Sequence, residues 1–193
     1  DCETRTVRDI VGDRAGELLD LRLGYTEVRG SDSLRSAIAK EYYTSLTKDD
    51  IVVFTGAEEA IYCMMSSLGR GDHVVCLLPA YQSLFACAEA RGVDVTYLTL
   101  SEGSGTWTLD LERLEAALES RPTKFLVINA PHNPTGWYPT AAEYKRILEL
   151  CDQRGVSLFN DEVYRGLEWS EPNAAACDAS PSGVTLGVLS KAQ

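Results

Sequence analysis

From Ile51 onward two hydrophobic periods alternate, and this alternation limits the chain to few folds. Short β-branched apolar runs read as strands buried on both faces, and between them longer stretches carry apolar residues at helical spacing. The runs predict strands at Ile51–Thr55, His73–Leu78, Asp94–Leu100, Lys124–Asn129, Val156–Asn160 and Val184–Leu189. Helices are expected at Glu58–Leu68, Gln82–Arg91, Asp110–Ser120 and Ala141–Arg154, with an earlier one at Ser31–Leu46. Punctuation agrees: Gly69 and Gly71, Gly92 and Gly155 each close a helix just before a strand, Asp110 sits at a cap position, and Thr140 with Glu143 spells a capping box. Ser101–Thr108 reads as a polar loop and Glu171–Gly183 as a surface stretch. Strands alternating with helices imply an α/β fold: a mostly parallel sheet with right-handed crossovers and helices on both faces, in three layers. The 193 residues, 45% of them hydrophobic, suffice for such a core and exclude a disordered or fibrous chain.

Charge and cysteine content narrow the partners. Eighteen Lys and Arg against 29 Asp and Glu give a net charge of −11, which opposes a general electrostatic hold on nucleic acid or anionic lipid and favours a small-molecule role. No apolar run approaches the roughly 20 residues of a membrane span. The six cysteines form no CxxC pair and no cluster with histidine, so neither a zinc site nor any other metal site is expected. Apolar neighbours around Cys63, Cys76 and Cys87 predict buried, reduced thiols, and hence a cytoplasmic protein.

In a doubly wound sheet, ligands bind beyond the carboxyl ends of the strands, so chemistry is sought there. After the first run, Thr55-Gly56-Ala57-Glu58 turns directly into a helix, whose free N–H groups suit an anion; equally, Gly56 could serve the turn alone. The second run ends at Pro79-Ala80-Tyr81; Tyr81 could stack on a planar ligand, although a lone tyrosine there usually just packs. The fourth enters Pro131-His132-Asn133-Pro134-Thr135-Gly136, a stiff loop that would hold the Asn133 side chain ready for a hydrogen bond, while His132 has nothing to pair with beyond capping the turn. The fifth ends in Asn160-Asp161-Glu162-Val163-Tyr164. An aspartate at the buried end of a parallel strand demands a cation, either an arginine or a protonated ring nitrogen, and Tyr164 could aim its phenol at the same place. The last run closes with Ser190-Lys191, an amine at the same edge of the sheet.

Taken in order, TGAEEA, PAY, PHNPTG, NDEVY and SK resemble the large domain of the fold type I pyridoxal-phosphate enzymes, the aminotransferase class I/II family, from about Leu21 to Lys191. The resemblance implies an enzyme that transfers an amino group from an amino acid to a 2-oxo acid with pyridoxal 5′-phosphate as cofactor. Lys191 would form the Schiff base and shuttle protons. Asp161 would keep the pyridine nitrogen protonated, making the ring an electron sink. Asn133 and Tyr164 would bond the phenolic oxygen, and Tyr81 would stack on the ring. Gly56, Ala57 and Glu58 would form the phosphate turn. Tyr25 would reach the phosphate of a neighbouring subunit, which implies a homodimer. Many members carry Ser or Thr where this chain has Val188, leaving Ser190 to bear more of the phosphate. On this resemblance residues 1–30 are an N-terminal segment and 31–193 a cofactor-binding large domain. The family's small C-terminal domain, with its carboxylate-binding arginine, has no counterpart after Gln193, so a fragment or cleaved chain is expected. Two further readings stay open: a lyase or cyclase of the same family, since PAYQSL and LGVLSK also resemble amino-acid cyclases of antibiotic biosynthesis, and a non-catalytic binding fragment. A dinucleotide-binding domain is disfavoured because no GxGxxG follows any strand.

Overall fold

A computed structural model describes residues 4–191. Two short helices, α1 (Val7–Val11) and α2 (Ala15–Leu19), open the chain and bury none of their residues. Helix α3 (Asp32–Tyr42) starts at Ser31, whose hydroxyl accepts from the Leu34 N–H. Then come α4 (Ala57–Ser66), β1 (His73–Leu78), α5 (Ser83–Ala90), β2 (Asp94–Thr99), the strand pair β3 (Ser101–Gly103) and β4 (Thr106–Thr108), and α6 (Leu111–Glu119). The chain continues through β5 (Phe125–Asn129), α7 (Ala141–Arg154), β6 (Ser157–Asp161), α8 (Ala176–Ala179) and β7 (Val184–Leu186).

Five strands form one parallel sheet in the order β2-β1-β5-β6-β7. From β1 the chain first winds outward to β2 and then crosses back to β5, so the winding direction reverses between β1 and β5. That reversal opens a crevice at the carboxyl ends of these two strands, where Pro79–Tyr81 and Ala130–Gly136 emerge. The period-two side-chain alternation divides the core cleanly. Val75, Leu77, Leu126, Ile128 and Leu158 point to the face covered by α6 and α7, with Leu114, Ile147 and Leu150 against them. Val74, Cys76, Val127 and Phe159 point to the opposite face, where Ile61 and Met65 of α4 and Leu84 and Ala88 of α5 meet them.

The caps form as the sequence predicts: Asp110 accepts from the Glu112 and Arg113 N–H groups, and Thr140 and Glu143 bond reciprocally. Gly155, at φ 64°, ends α7 in the left-handed region.

Several expectations need correction. Ile51–Thr55 is extended but is no strand; Val53 donates to the Arg29 carbonyl, while Val52 and Phe54 lie exposed. A β-branched run becomes a strand only when a neighbour supplies a ladder, and among the described residues none lies beside this one. Ser101–Thr108 is a hairpin, closed by Ser104 and Gly105 at positive φ. Glu171–Gly183 contributes α8 and the buried Ala175, Ala176 and Ser180 rather than surface alone. The sheet pairing of β7 ends at Leu186, three residues before the expected end at Leu189. Of the cysteines, Cys76 and Cys151 are buried and Cys87 and Cys177 partly so, but Cys63 is exposed, because α4 turns Ile61 and Met65 inward and residue 63 the other way. Cys2 lies outside the described residues.

The chain between α8 and β7 passes very close to the helix it has just left. A Cβ on Gly183 would sit 1.9 Å from the Ala176 carbonyl oxygen and 2.4 Å from its carbon, atoms that cannot move without displacing α8. Gly183→Ala is therefore expected to cost about 3 kcal/mol by overpacking, whereas Gly69→Ala, with open space around its Cβ, should stay within about 0.5 kcal/mol of the parent. Urea denaturation of the two variants side by side measures the difference.

Candidate active site

The candidate site lies at the carboxyl ends of β1, β5 and β6. Strand β6 delivers Asp161 at its last position, paired in register with Asn129 of β5. Asp161 is only 4% exposed. One of its oxygens accepts the Val163 N–H at 3.1 Å, and among the described residues no cation pairs with it. Burial pushes its pKa up to about 6; the Val163 N–H pulls the other way, and the neighbouring charges of Glu162 and Glu58 push it further up. This carboxylate is thus held in a low-dielectric place without the positive partner that its position requires.

Around it stand groups from three other segments. Tyr81, half exposed after β1, donates to Glu58 and feels the charge of Asp161, with the Tyr164 phenol also within electrostatic reach. Glu58, in the first turn of α4, also accepts from Ser83 Oγ at 2.6 Å, and these two bonds hold its carboxyl below the ordinary range. Gly56 precedes α4 at φ 109° and ψ 160°, a conformation that favours glycine, and offers no side-chain cap to the helix. The neighbouring Glu59 turns back to accept the Thr55 N–H at 2.7 Å. Of the first-turn residues, Ala57 is partly buried and carries no polar side chain that could compete for an anion.

The PHNPTG loop is tied to β6 by a residue that sequence reasoning missed. Asn129 donates from Nδ2 to the Asp161 carbonyl at 2.7 Å and accepts the Asn133 N–H on Oδ1 at 2.7 Å. A backbone bond from Ala130 to the same Asp161 carbonyl, 3.1 Å long, adds to the clamp. Asn133 and Asp161 therefore move as one unit. The signal was present: an amide ending the apolar run Phe125–Ile128 is a buried polar group that must find partners. His132, also buried, contacts Thr135 Oγ1 through Nδ1 at 2.8 Å, and burial holds its pKa below the usual histidine value. It orders the loop from within.

The structure thus gathers Glu58, Tyr81, Asp161 and Tyr164 and links Asn133 to them through Asn129. Lys191 and Ser190 lie exposed on the bent segment beyond β7, and among the described residues Lys191 forms no ion pair. Tyr25 is fully exposed on the N-terminal segment.

With this geometry in hand, comparison with known proteins is decisive. The profile of the family "Aminotransferase class I and II" matches residues 17–193. The chain belongs to that family. A probable kynurenine–oxoglutarate transaminase of Saccharomyces cerevisiae is 31% identical over 171 residues, which cover 81% of this chain and 38% of the yeast protein. Among solved structures, a PLP-dependent aminotransferase from Streptococcus suis superposes with a TM-score of 0.88 at 28% identity, over 98% of this chain and 52% of the other. The PLP-dependent cyclase OrfR, also 28% identical, gives a TM-score of 0.80 over 95% of this chain and 48% of its own. The chain spans about half the length of these solved relatives and less of the curated one.

Asp161 makes the cofactor-free protein pH-sensitive in a defined direction. Its folded pKa lies above its ordinary value of 3.8, so its contribution to stability is intact below pH 3.8 and is lost as pH rises through about 6. Cofactor-free Asp161→Asn is expected to be more stable than the parent at pH 8, by on the order of 3 kcal/mol, with the gap closing toward pH 4. Urea midpoints at the two pH values provide the check.

Proposed function

We propose that this chain is the cofactor-binding part of a pyridoxal-phosphate-dependent aminotransferase that moves an amino group from an amino acid to a 2-oxo acid. The observation that carries this reading is Asp161, a buried carboxylate at the end of a parallel strand, near Tyr81 and without a cation among the described residues. A protonated pyridine nitrogen has the charge, shape and proton that such a carboxylate lacks, so the residues present fit the group. When bound, pyridoxal phosphate supplies an electron sink for the substrate's α-carbon.

The chain's own residues have separate tasks in this reading. Asp161 holds a proton on the ring nitrogen, and burial strengthens that interaction because little water competes for either charge. Tyr81 offers a ring face whose tilt is set by its bond to Glu58. Asn133 and Tyr164 donate to the phenolic oxygen, with Asn133 kept in place by Asn129. Gly56, Ala57 and Glu58 form the phosphate turn, assisted by Ser190; the carboxylate of Glu58 is turned aside by Ser83 and Tyr81, leaving the α4 backbone N–H groups for the anion. Lys191 would provide the amine and would hold or remove a proton at the substrate α-carbon.

The active unit in this proposal is a homodimer. Support comes from the N-terminal segment, where Val7, Ile10, Leu19, Leu23, Tyr25 and Val28 are all strongly exposed. A second copy of the chain would cover this apolar surface and receive Tyr25 at its phosphate. The cytoplasm suits the free thiols at Cys76 and Cys151, which burial pushes up to about 12. The runner-up chemistry is that of a cyclase or lyase, supported by OrfR being as similar in sequence as the aminotransferase from S. suis.

The test uses the protein expressed from its full open reading frame. Borohydride should fix pyridoxal phosphate covalently to the Lys191 peptide, and Lys191→Ala should abolish both the fixation and the yellow colour. Formation of glutamate together with a new keto acid from an amino-acid panel and 2-oxoglutarate supports transamination; free ammonia without glutamate, or a ring-closed product, supports the runner-up. A colourless parent that fixes nothing leaves a non-catalytic fragment. Asp161→Asn should lose most or all of its pH 8 advantage once cofactor is added, because removing one partner of a buried charge pair costs about 2–5 kcal/mol, or at least ~30-fold in affinity. Equilibrium dialysis against pyridoxal phosphate measures that loss.

A further inference from the structure

Glu162 follows Asp161 in the chain, yet its surroundings are opposite in kind. It is 2% exposed. Its Oε1 accepts three hydrogen bonds: from Asn160 Nδ2 at 3.1 Å, from the Ala176 N–H that begins α8 at 2.9 Å, and from Thr185 Oγ1 of β7 at 3.0 Å. Its Oε2 faces Arg165 Nη1 at 3.1 Å, and the same guanidinium donates to the Asn173 carbonyl from both Nη atoms. The Glu162 N–H donates to the Leu186 carbonyl at 2.9 Å. One residue therefore joins β6, β7, α8 and the segment between β6 and α8.

The junction matters because β7 is otherwise held only by its short ladder with β6 and by the packing of Val184 and Leu186. The strand is three residues long, lies at the sheet edge, and leads into the segment that carries Ser190 and Lys191. We propose that Glu162 is a positioning residue that sets where the lysine-bearing segment stands relative to Asp161. The proposal rests on the pyridoxal-phosphate reading given above. Because Asp161 and Glu162 are consecutive, any shift of β7 against the Glu162 carboxylate changes the distance from Asp161 to the segment beyond Leu186. Thr185 is the lever on the β7 side: its hydroxyl donates to Glu162 and accepts the Cys177 N–H at 3.2 Å, so one group aligns strand and helix together.

The surroundings leave the carboxylate no simple substitute. Tyr43, Tyr144 and Cys177 sit close enough to feel its charge, and all three are pushed toward their neutral forms, chiefly by burial. Tyr43 reaches β7 from the far side: a Cβ on Gly187 would lie 2.8 Å from its hydroxyl. Asp178 pins that side by accepting the Thr44 and Ser45 N–H groups. Among the described residues Arg165 is the cation that pairs with Glu162, while Asn160, Thr185 and the Ala176 N–H meet it as neutral donors.

The experiment compares Glu162→Gln, Thr185→Val and Thr185→Ser in the protein expressed from its full open reading frame. In the cofactor-free form, Glu162→Gln and Thr185→Val should speed hydrogen exchange in peptides containing β7 and leave β1 and β5 unchanged. With pyridoxal phosphate added, each should bind about tenfold more weakly, the loss of one to two charge-assisted hydrogen bonds. The induced circular dichroism of the visible band, which reports cofactor orientation, should shrink with it. Thr185→Ser keeps the hydroxyl and should restore all three signals, and the double variant Glu162→Gln/Thr185→Val should be no worse than the weaker single.

Wild-type affinity and dichroism in folded Glu162→Gln and Thr185→Val would overturn the proposal. So would a Thr185→Ser variant as impaired as Thr185→Val, since the hydroxyl would then not be the lever. If Glu162→Gln does not fold, the Thr185 pair decides alone. A parent that fixes no cofactor defeats the pyridoxal-phosphate reading instead, and exchange at β7 still decides whether Glu162 holds that strand.

Discussion

Two carboxylates placed side by side at the end of β6 and treated in opposite ways govern this structure. Glu162 accepts three hydrogen bonds on Oε1 and faces the charge of Arg165 with Oε2. Asp161 accepts one backbone N–H and, among the described residues, has no cation. Burial penalises both charges and pushes both pKa values up; for Glu162, hydrogen bonds and the Arg165 charge offset part of the penalty. For Asp161 it remains, which is the physical sense in which the site is prepared for a positively charged ligand atom. A strand that placed both groups in solvent would lose this distinction, because water would satisfy each equally.

The parallel sheet makes the arrangement possible. Its central strands are apolar on both faces, so polar groups are concentrated at strand ends, where Asn129 and Asp161 sit in register. The reversal between β1 and β5 then opens the crevice into which Tyr81 and the PHNPTG loop project. Asn129 turns this juxtaposition into a rigid one by bonding the loop and the strand at once. Glu58 does similar work at the opposite side, using Ser83 and Tyr81 to connect the first turn of α4 with the chain after β1.

Much of this was legible beforehand. The alternation of periods located every strand that entered the sheet, because apolar residues at spacing two have nowhere to go but a buried pleat. The caps at Asp110 and Thr140 were readable because a cap is a local bond between residues three apart or fewer. Asp161 was conspicuous as a charge at the end of an apolar run. What stayed hidden depended on partners distant in sequence. Ile51–Thr55 looked like a strand, but strand formation requires a neighbour that spacing alone cannot supply. Glu162 looked like an ordinary acidic residue because its partners Ala176 and Thr185 lie across a segment of surface composition. The burial of α8 had no composition signal, as Ala-rich stretches suit surface and core alike.

The sequence by itself determined the layered α/β architecture, the places where its strands end and the chemical types of the residues waiting there, since all of these follow from local periodicity and from the cost of burying a charge. The tertiary structure alone decided which carboxylate is satisfied and which is left open, and which amide fastens the loop to the strand. It also decided that Gly183 must lack a side chain. These depend on groups brought together by the sheet crossovers from tens of residues apart, and a hydrogen bond or a steric contact has no existence until both of its atoms are in place.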